Sequence, residues 1–191
     1  LVLFPPQTSA NWQPFFNDVA YLLSFDVLSM AELEHNVIKA SMTKPPRLAL
    51  GIGRNNSAPK SVYPGFALKS RDFRYNFCVN NGSLSLPGKI CVYHTDTLDS
   101  QLDEMTSLVV SESLAIDEFK RVVTLPILCS WHALDFVPRG ASSSHIDTLR
   151  ALAPYSRPQD KARLTMLLLS GTAPAVKFKA FTFKSRHLTL M

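Results

Sequence analysis

The chain has 191 residues, 46% of them apolar and 18% charged, with a formal net charge of +5. Twelve Phe and two Trp within that apolar share supply one well-cored domain and exclude a disordered chain. No apolar run reaches the roughly 20 residues that a membrane-crossing helix needs, and LVLF runs at once into Pro5 and Pro6 without a basic leader, which argues against a signal peptide.

The first residue is Leu and the chain opens inside an apolar run, so the expectation is a single domain over 1–191 that forms a fragment of a longer polypeptide. Cys78, Cys91 and Cys129 are odd in number and sit in apolar patterns, where a free Cys acts as a small buried hydrophobe. This usage points to an intracellular, reducing compartment.

In chain order, residues 9–17 read as a short helix or turn limited by Pro14, and 19–28 as a tight hairpin or one bent strand. Ser29 and Glu32 form a capping box, leading into a helix with Met30, Leu33, Val37 and Ile38 on one face. Pro45 and Pro46 end it by about Thr43. Residues 48–69 read as a long irregular connection, whose GIGRNNSAPK lacks the lysine and following helix of a phosphate-binding loop.

The stretch 77–93, FCVNNGSLSLPGKICVY, reads as two strands joined by a structured turn, with strand, turn and strand over 74–94. Asp96 or Thr97 should cap a helix to about Val110, with Leu98, Leu102, Met105 and Val109 as its apolar stripe. A second hairpin is expected over 114–124, and a helix from Pro126 to Phe136 with Leu128, Trp131, Leu134 and Phe136 in the core. After a loop over 137–144, helices are expected at 144–152 and 158–169, the latter closed by Gly171. AVKFKAFTF is a strand with Val176 and Phe178 on one face and Lys177 and Lys179 on the other. There is no internal repeat and no low-complexity segment.

Together these elements specify an α+β fold, a small mostly antiparallel sheet built from the hairpins at Val19, Phe77 and Leu114 plus the terminal strand, with helices packed on one side.

Charge is segregated along the chain. Lys39, Lys44, Arg47, Arg54, Lys60, Lys69, Arg71, Arg74 and Lys89 face the single acid Asp72, whereas Asp96, Asp99, Asp103, Glu104, Glu112, Asp117 and Glu118 occupy a stretch with no Lys or Arg. Such segregation suits partners of opposite charge, or plain solvated faces. With Tyr63, Phe66, Phe73, Tyr75 and Phe77 interleaved, the basic stretch 39–89 also raises RNA binding, provided the aromatics share one exposed surface.

The order of motifs identifies a family. SMAELEHNVI, RYNFCVNNGSLSLP, ICVYHTDTLDSQLDE, VVTLPILCSWHALDF and VKFKAFTF resemble, over about 19–183, the domain of unknown function 547, which often stands beside DEP domains or coiled coils. The resemblance aligns Asn80, Gly82, Ser85 and Pro87 with the family's central loop, and places Asn81 and Leu86 where the family carries cysteines. Glu34 and His35 match its Glu-His pair, and Trp131, Asp135 and Phe136 its Trp-x-x-x-Asp-Phe element. The resemblance thus implies a degenerate member without the loop thiols.

The candidate catalytic residues are accordingly Glu34, His35, Ser85 and Asp135, with His35 as base. The candidate binding residues are Asn80, Asn81, Ser83, Arg71 and Arg74. A thiol hydrolase would instead need Cys78 activated by His94. His35, His94, His132, His145 and His187 are dispersed, with no zinc-ligand spacing, so neither a metal nor a cofactor is expected. The reading is a catalytically inactive interaction or scaffolding module with protein partners. The alternatives are a hydrolase or transferase working through a non-cysteine loop group, and RNA binding.

Overall fold

A computed structural model describes residues 9–23, 26–43, 65–182, 184–185 and 188–191. The expectations on GIGRNNSAPK, on Lys44, Pro45, Pro46, Arg47, Arg54, Lys60 and Tyr63, and on His187 lie outside the described residues.

The fold is α+β. Helix α1 (Ser9–Asp18) leads into the hairpin β1 (Ala20–Leu23) and β2 (Asp26–Ser29), paired antiparallel with Leu22 opposite Val27. The capping box forms as expected: Ser29 Oγ accepts from Glu32 N at 3.2 Å, and Glu32 Oε2 accepts from Ser29 N at 2.9 Å. The helix it opens, α2 (Met30–Glu32), lasts only three residues before the chain widens into a π-turn, Leu33–Ile38. No residue of either segment is fully buried.

The 77–93 stretch departs from the strand pair. Its first residues belong to a one-turn helix, α3 (Tyr75–Cys78), in which Asn76, Phe77 and Cys78 are buried in succession. A run this short cannot by itself distinguish a strand from a buried helical turn. Here Asp72 decides it, its Oδ1 accepting from Arg74 N at 3.0 Å and its carbonyl from Tyr75 N at 3.2 Å. Only β3 (Lys89–Ile90) is a strand, and its partner is β7 (Thr189–Leu190), parallel and far along the chain.

Helix α4 (Leu98–Ser113) runs three residues past the expected end, and its cap residue Thr97 makes no side-chain capping bond. The expected second hairpin is present as β4 (Ala115–Asp117) and β5 (Val122–Pro126). Pro126 closes that strand rather than opening a helix, which starts two residues on as α5 (Leu128–Trp131) and continues as a 3-10 turn, Ala133–Phe136. Leu134 is exposed and Trp131 half-buried, while Phe136 packs on the core. Helices α6 (His145–Leu152) and α7 (Pro158–Leu169) come next, α6 with its own capping box of Ser144 and Asp147. Gly171, at φ +78°, supplies the left-handed residue just past α7.

The terminal strand β6 (Ala175–Lys179) pairs with β5, but parallel to it. Among the described residues the strands make three separate small sheets, β1-β2, β3-β7 and β4-β5-β6, with the expected antiparallel hairpins at β1-β2 and β4-β5 and parallel pairs at β3-β7 and β5-β6. The long α6–α7 excursion between β5 and β6 accounts for the parallel pairing, since a crossover of that length returns the chain to the same end of the sheet.

The main core sits among α4, β5, α6 and α7, with Val109, Val123, Leu125, Leu149, Leu152 and Leu164 fully buried. The β4-β5 turn puts Arg121 at φ 53°, a conformation rare for any residue but glycine. Its guanidinium donates to Leu167 O, Ser170 Oγ and Thr172 O at the end of α7, and its carbonyl accepts from Ala175 N.

Candidate functional site

The π-turn holds two of the four candidate catalytic residues. Widened turns of this type accompany functional sites more often than regular helix does. Glu34 O accepts from Lys39 N at 2.8 Å, the long-range bond that defines the turn, and the Glu34 carboxylate receives Lys39 Nζ at 2.7 Å. Burial works to raise the Glu34 pKa, but Lys39 and His35 outweigh it and hold the group below its ordinary value. Glu34 is thereby fixed as an ionised partner of Lys39, not as a proton donor.

Asp135 lies across from this turn with its side chain fully buried. Its Oδ1 accepts from Thr43 N at 2.8 Å and Thr43 Oγ1 at 2.7 Å, and its Oδ2 from Asn76 Nδ2 at 3.2 Å. Arg71 Nε stands 3.6 Å away. Burial would raise the Asp135 pKa, yet the hydrogen bonds from His132, Thr43 and Asn76 keep it below 3.8.

His132 is the residue that the sequence reading passed over. It is buried, and its Nδ1 faces Thr43 O at 3.2 Å and Asp135 Oδ2 at 3.4 Å. Both neighbours are acceptors, so Nδ1 carries a hydrogen and the ring is oriented by Asp135 and the Thr43 carbonyl. The signal was present as His-x-x-Asp, which on one helical turn brings the two side chains together.

Glu34, His35, Asn76, Asn81 and His132 line one small cavity of about 30 Å³, closed by Leu86, Leu128, Trp131 and Phe181. The structure thus brings together His35, Glu34 and the position where the family resemblance puts a thiol. Neither Asp135 nor Ser85 lines it; Asp135 acts on it through His132 and Asn76. Among the described residues the lining contains no Cys, Ser, Thr or Tyr. An oriented imidazole is the base half of a nucleophilic site, but here it faces space for about one water.

The central loop is held by its own side chains. Asn80 Nδ2 donates to Pro87 O and Lys89 O, while its Oδ1 accepts from Gly82 N. Asn81 Oδ1 accepts from Ser83 N at 3.2 Å, and Ser85 Oγ from Thr182 N at 2.6 Å. Ser83 is fully buried and forms an isolated antiparallel bridge with Ser185. Ser85 instead lines a second cleft of about 180 Å³ between the loop, α4 and the chain after β6.

The two binding arginines are turned inward. Arg71 Nη1 donates to Leu134 O at 2.7 Å. Arg74 binds Asp72, Asp99 and Asp103, each at 2.6 Å, and its hydrogen bond to Asp72 is the main reason its pKa is raised. The basic and acidic stretches of the sequence thus meet within the molecule.

Cys78 is buried, its Sγ 3.7 Å from Leu102 O, and burial pushes its pKa up to about 11. His94 is exposed. Such a thiol stays protonated at neutral pH and is a poor nucleophile. Among the described residues no group of three His, Cys, Asp or Glu is placed to hold a metal ion, and no helix is long and apolar enough to cross a membrane.

In class, then, this is an α+β domain whose buried Asp-His pair backs a water-sized cavity beside an asparagine-rich loop. The chain belongs to the family described as protein of unknown function, DUF547, whose profile matches residues 1–108. The match takes in the π-turn, α3 and the central loop and ends inside α4, so the Trp-x-x-x-Asp-Phe element and the terminal strand rest on resemblance of sequence alone. A search of curated proteins and of solved structures found no match to the chain.

Proposed function

We propose that this domain is a catalytically silent protein-interaction module of a larger protein or assembly in a reducing intracellular compartment. The observation that carries the reading is the cavity: an imidazole aligned by a buried carboxylate looks onto about 30 Å³ of space, and no hydroxyl or thiol side chain is among the described residues that line it. Small-molecule sites occupy roughly 300–1,000 Å³. Support for an interaction role comes from the β1-β2 hairpin, where Leu22 and Val27 face each other across the strands at 70% and 65% exposure. A two-stranded ribbon gains stability by covering such a face.

The test compares the native chain with Asn81→Cys. Mild thiol-directed and hydrolase-directed probes should leave Cys78 and Cys129 of the native chain unlabelled, and should label the new cysteine with a pH profile displaced below that of a free thiol, about 8.5. Covalent labelling of a cavity residue in the native chain, or of Cys78 with loss of the signal in Cys78→Ser, would overturn the reading.

The orientation of His132 by Asp135 favours one other reading, a hydrolase or transferase with an imidazole base. It requires that His35→Ala or His132→Ala remove an activity while leaving the melting curve in place. RNA binding through 39–89 draws less support, because Arg74 is held by three carboxylates and Phe77 is buried.

A further inference from the structure

The β4-β5-β6 sheet ends on β6, whose partner on one side is β5. Ala175 N donates to Arg121 O and Lys179 O accepts from Ile127 N, so the two ends of β6 both point their peptide groups at β5. Peptide direction alternates in a parallel ladder, so Ala175, Lys177 and Lys179 face β5 and the N–H and C=O groups of Val176 and Phe178 face outward. No described residue bonds to those outward groups. The Val176 and Phe178 side chains are half-buried, Phe178 against the His145 ring with centroids 5.2 Å apart.

We propose that this edge takes an extended acidic peptide segment of a protein partner as a fourth strand, an inference that names a partner for the interaction module proposed above. Main-chain bonding would use Val176 and Phe178, as in other cases of strand addition. Selectivity would come from Lys177 and Lys179, which stand exposed on one face of the strand. Lysines on an open edge oppose pairing with a second copy of the same edge, and attract a strand carrying Glu or Asp at alternate positions. Glu112 shares the 180 Å³ cleft with Lys179, so the cationic stretch is centred on Lys177.

The probe is a synthetic peptide of about eight residues alternating Glu and Val, titrated into the full chain at low and physiological salt. Binding should be saturable, should weaken with salt, and should protect the Val176 and Phe178 amides from hydrogen exchange. Lys177→Glu with Lys179→Glu should weaken it about tenfold or more, and the Lys-Val counterpart peptide should not bind. Val176→Pro removes an N–H that β5 does not use, which edge strands tolerate, and should abolish binding.

Absent binding, or binding indifferent to the lysine reversal, overturns the proposal. Should Val176→Pro fail to fold, the lysine variant and the exchange pattern still decide. Concentration-dependent dimerisation that Val176→Pro removes would assign the edge to a second copy and refute the acidic strand. None of these results bears on the silent cavity, which only covalent labelling of the native chain refutes.

Discussion

The two halves of this domain are held by different forces. From α4 to β6, regular elements bury repeated apolar faces in one cluster built on Val109, Val123, Leu149 and Leu164. The π-turn, the one-turn helix α3 and the central loop contribute few fully buried apolar side chains, among them Phe77, Cys78 and Leu86. Beside a small apolar cluster of Cys78 with Leu102 and Met105, their order draws on polar side chains aimed at backbone: Asp135 on Thr43, Asp72 on Arg74, Asn80 on Pro87 and Lys89. A segment too irregular to make its own ladder can be fixed this way, but each latch then matters individually.

Removing the largest latch should have the largest effect. Asp135→Ala leaves Thr43, Asn76 and His132 without their shared acceptor, and should cost about 3–5 kcal/mol in denaturant unfolding. Hydrogen exchange should quicken over 26–43 before it does in α6 and α7; uniform loss would show that the halves are not separable. The same carboxylate sets an acid limit. Its pKa is depressed on folding, so its contribution is present in full above about 3.8 and is lost as pH falls through the lower folded value. Asp135→Asn should flatten the acid limb of a stability–pH curve, and an unchanged limb would assign that limb to other carboxylates.

Leu164→Ala, at a position with no exposure, should cost about 2–5 kcal/mol. In contrast to Asp135→Ala, it should lower protection in α4, α6 and α7 together. Arg74→Ala comes last, at about 1–2 kcal/mol and shrinking with added salt, because Asp99 and Asp103 are mostly solvent-exposed. A salt-independent loss would mean that the arginine stem, not its charge, is what packs.

The same division separates what the sequence discloses from what it hides. The Ser29–Glu32 capping box, the β1-β2 and β4-β5 hairpins, α4, α6, α7 and the alternation in β6 are legible because local pattern and final structure agree. The parallel pairing of β6 is not legible, since it depends on where the α6–α7 excursion returns. Nor is α3, whose form is set by Asp72 and not by its own four residues. Of the site, Glu34, His35 and Asp135 were found through the family's motifs, while His132 was overlooked among dispersed histidines although Asp135 stands one turn beyond it. Segregated charge allowed either partners of opposite charge or plain solvated faces, and Arg74 shows some of those charges meeting each other.

Arg121 carries a consequence for how the chain assembles. A left-handed backbone costs a side-chain-bearing residue roughly 1–2 kcal/mol, and the groups that brace it lie 46 to 51 positions further on. A ribosome delivers the bend well before its brace, so β4 and β5 should close firmly only once α7 has docked. Arg121→Gly should accordingly leave the refolding rate almost unchanged and speed unfolding in stopped-flow traces, whereas slower refolding would place the brace in the transition state. Helix α7 would then be the one that locks a turn made dozens of residues earlier.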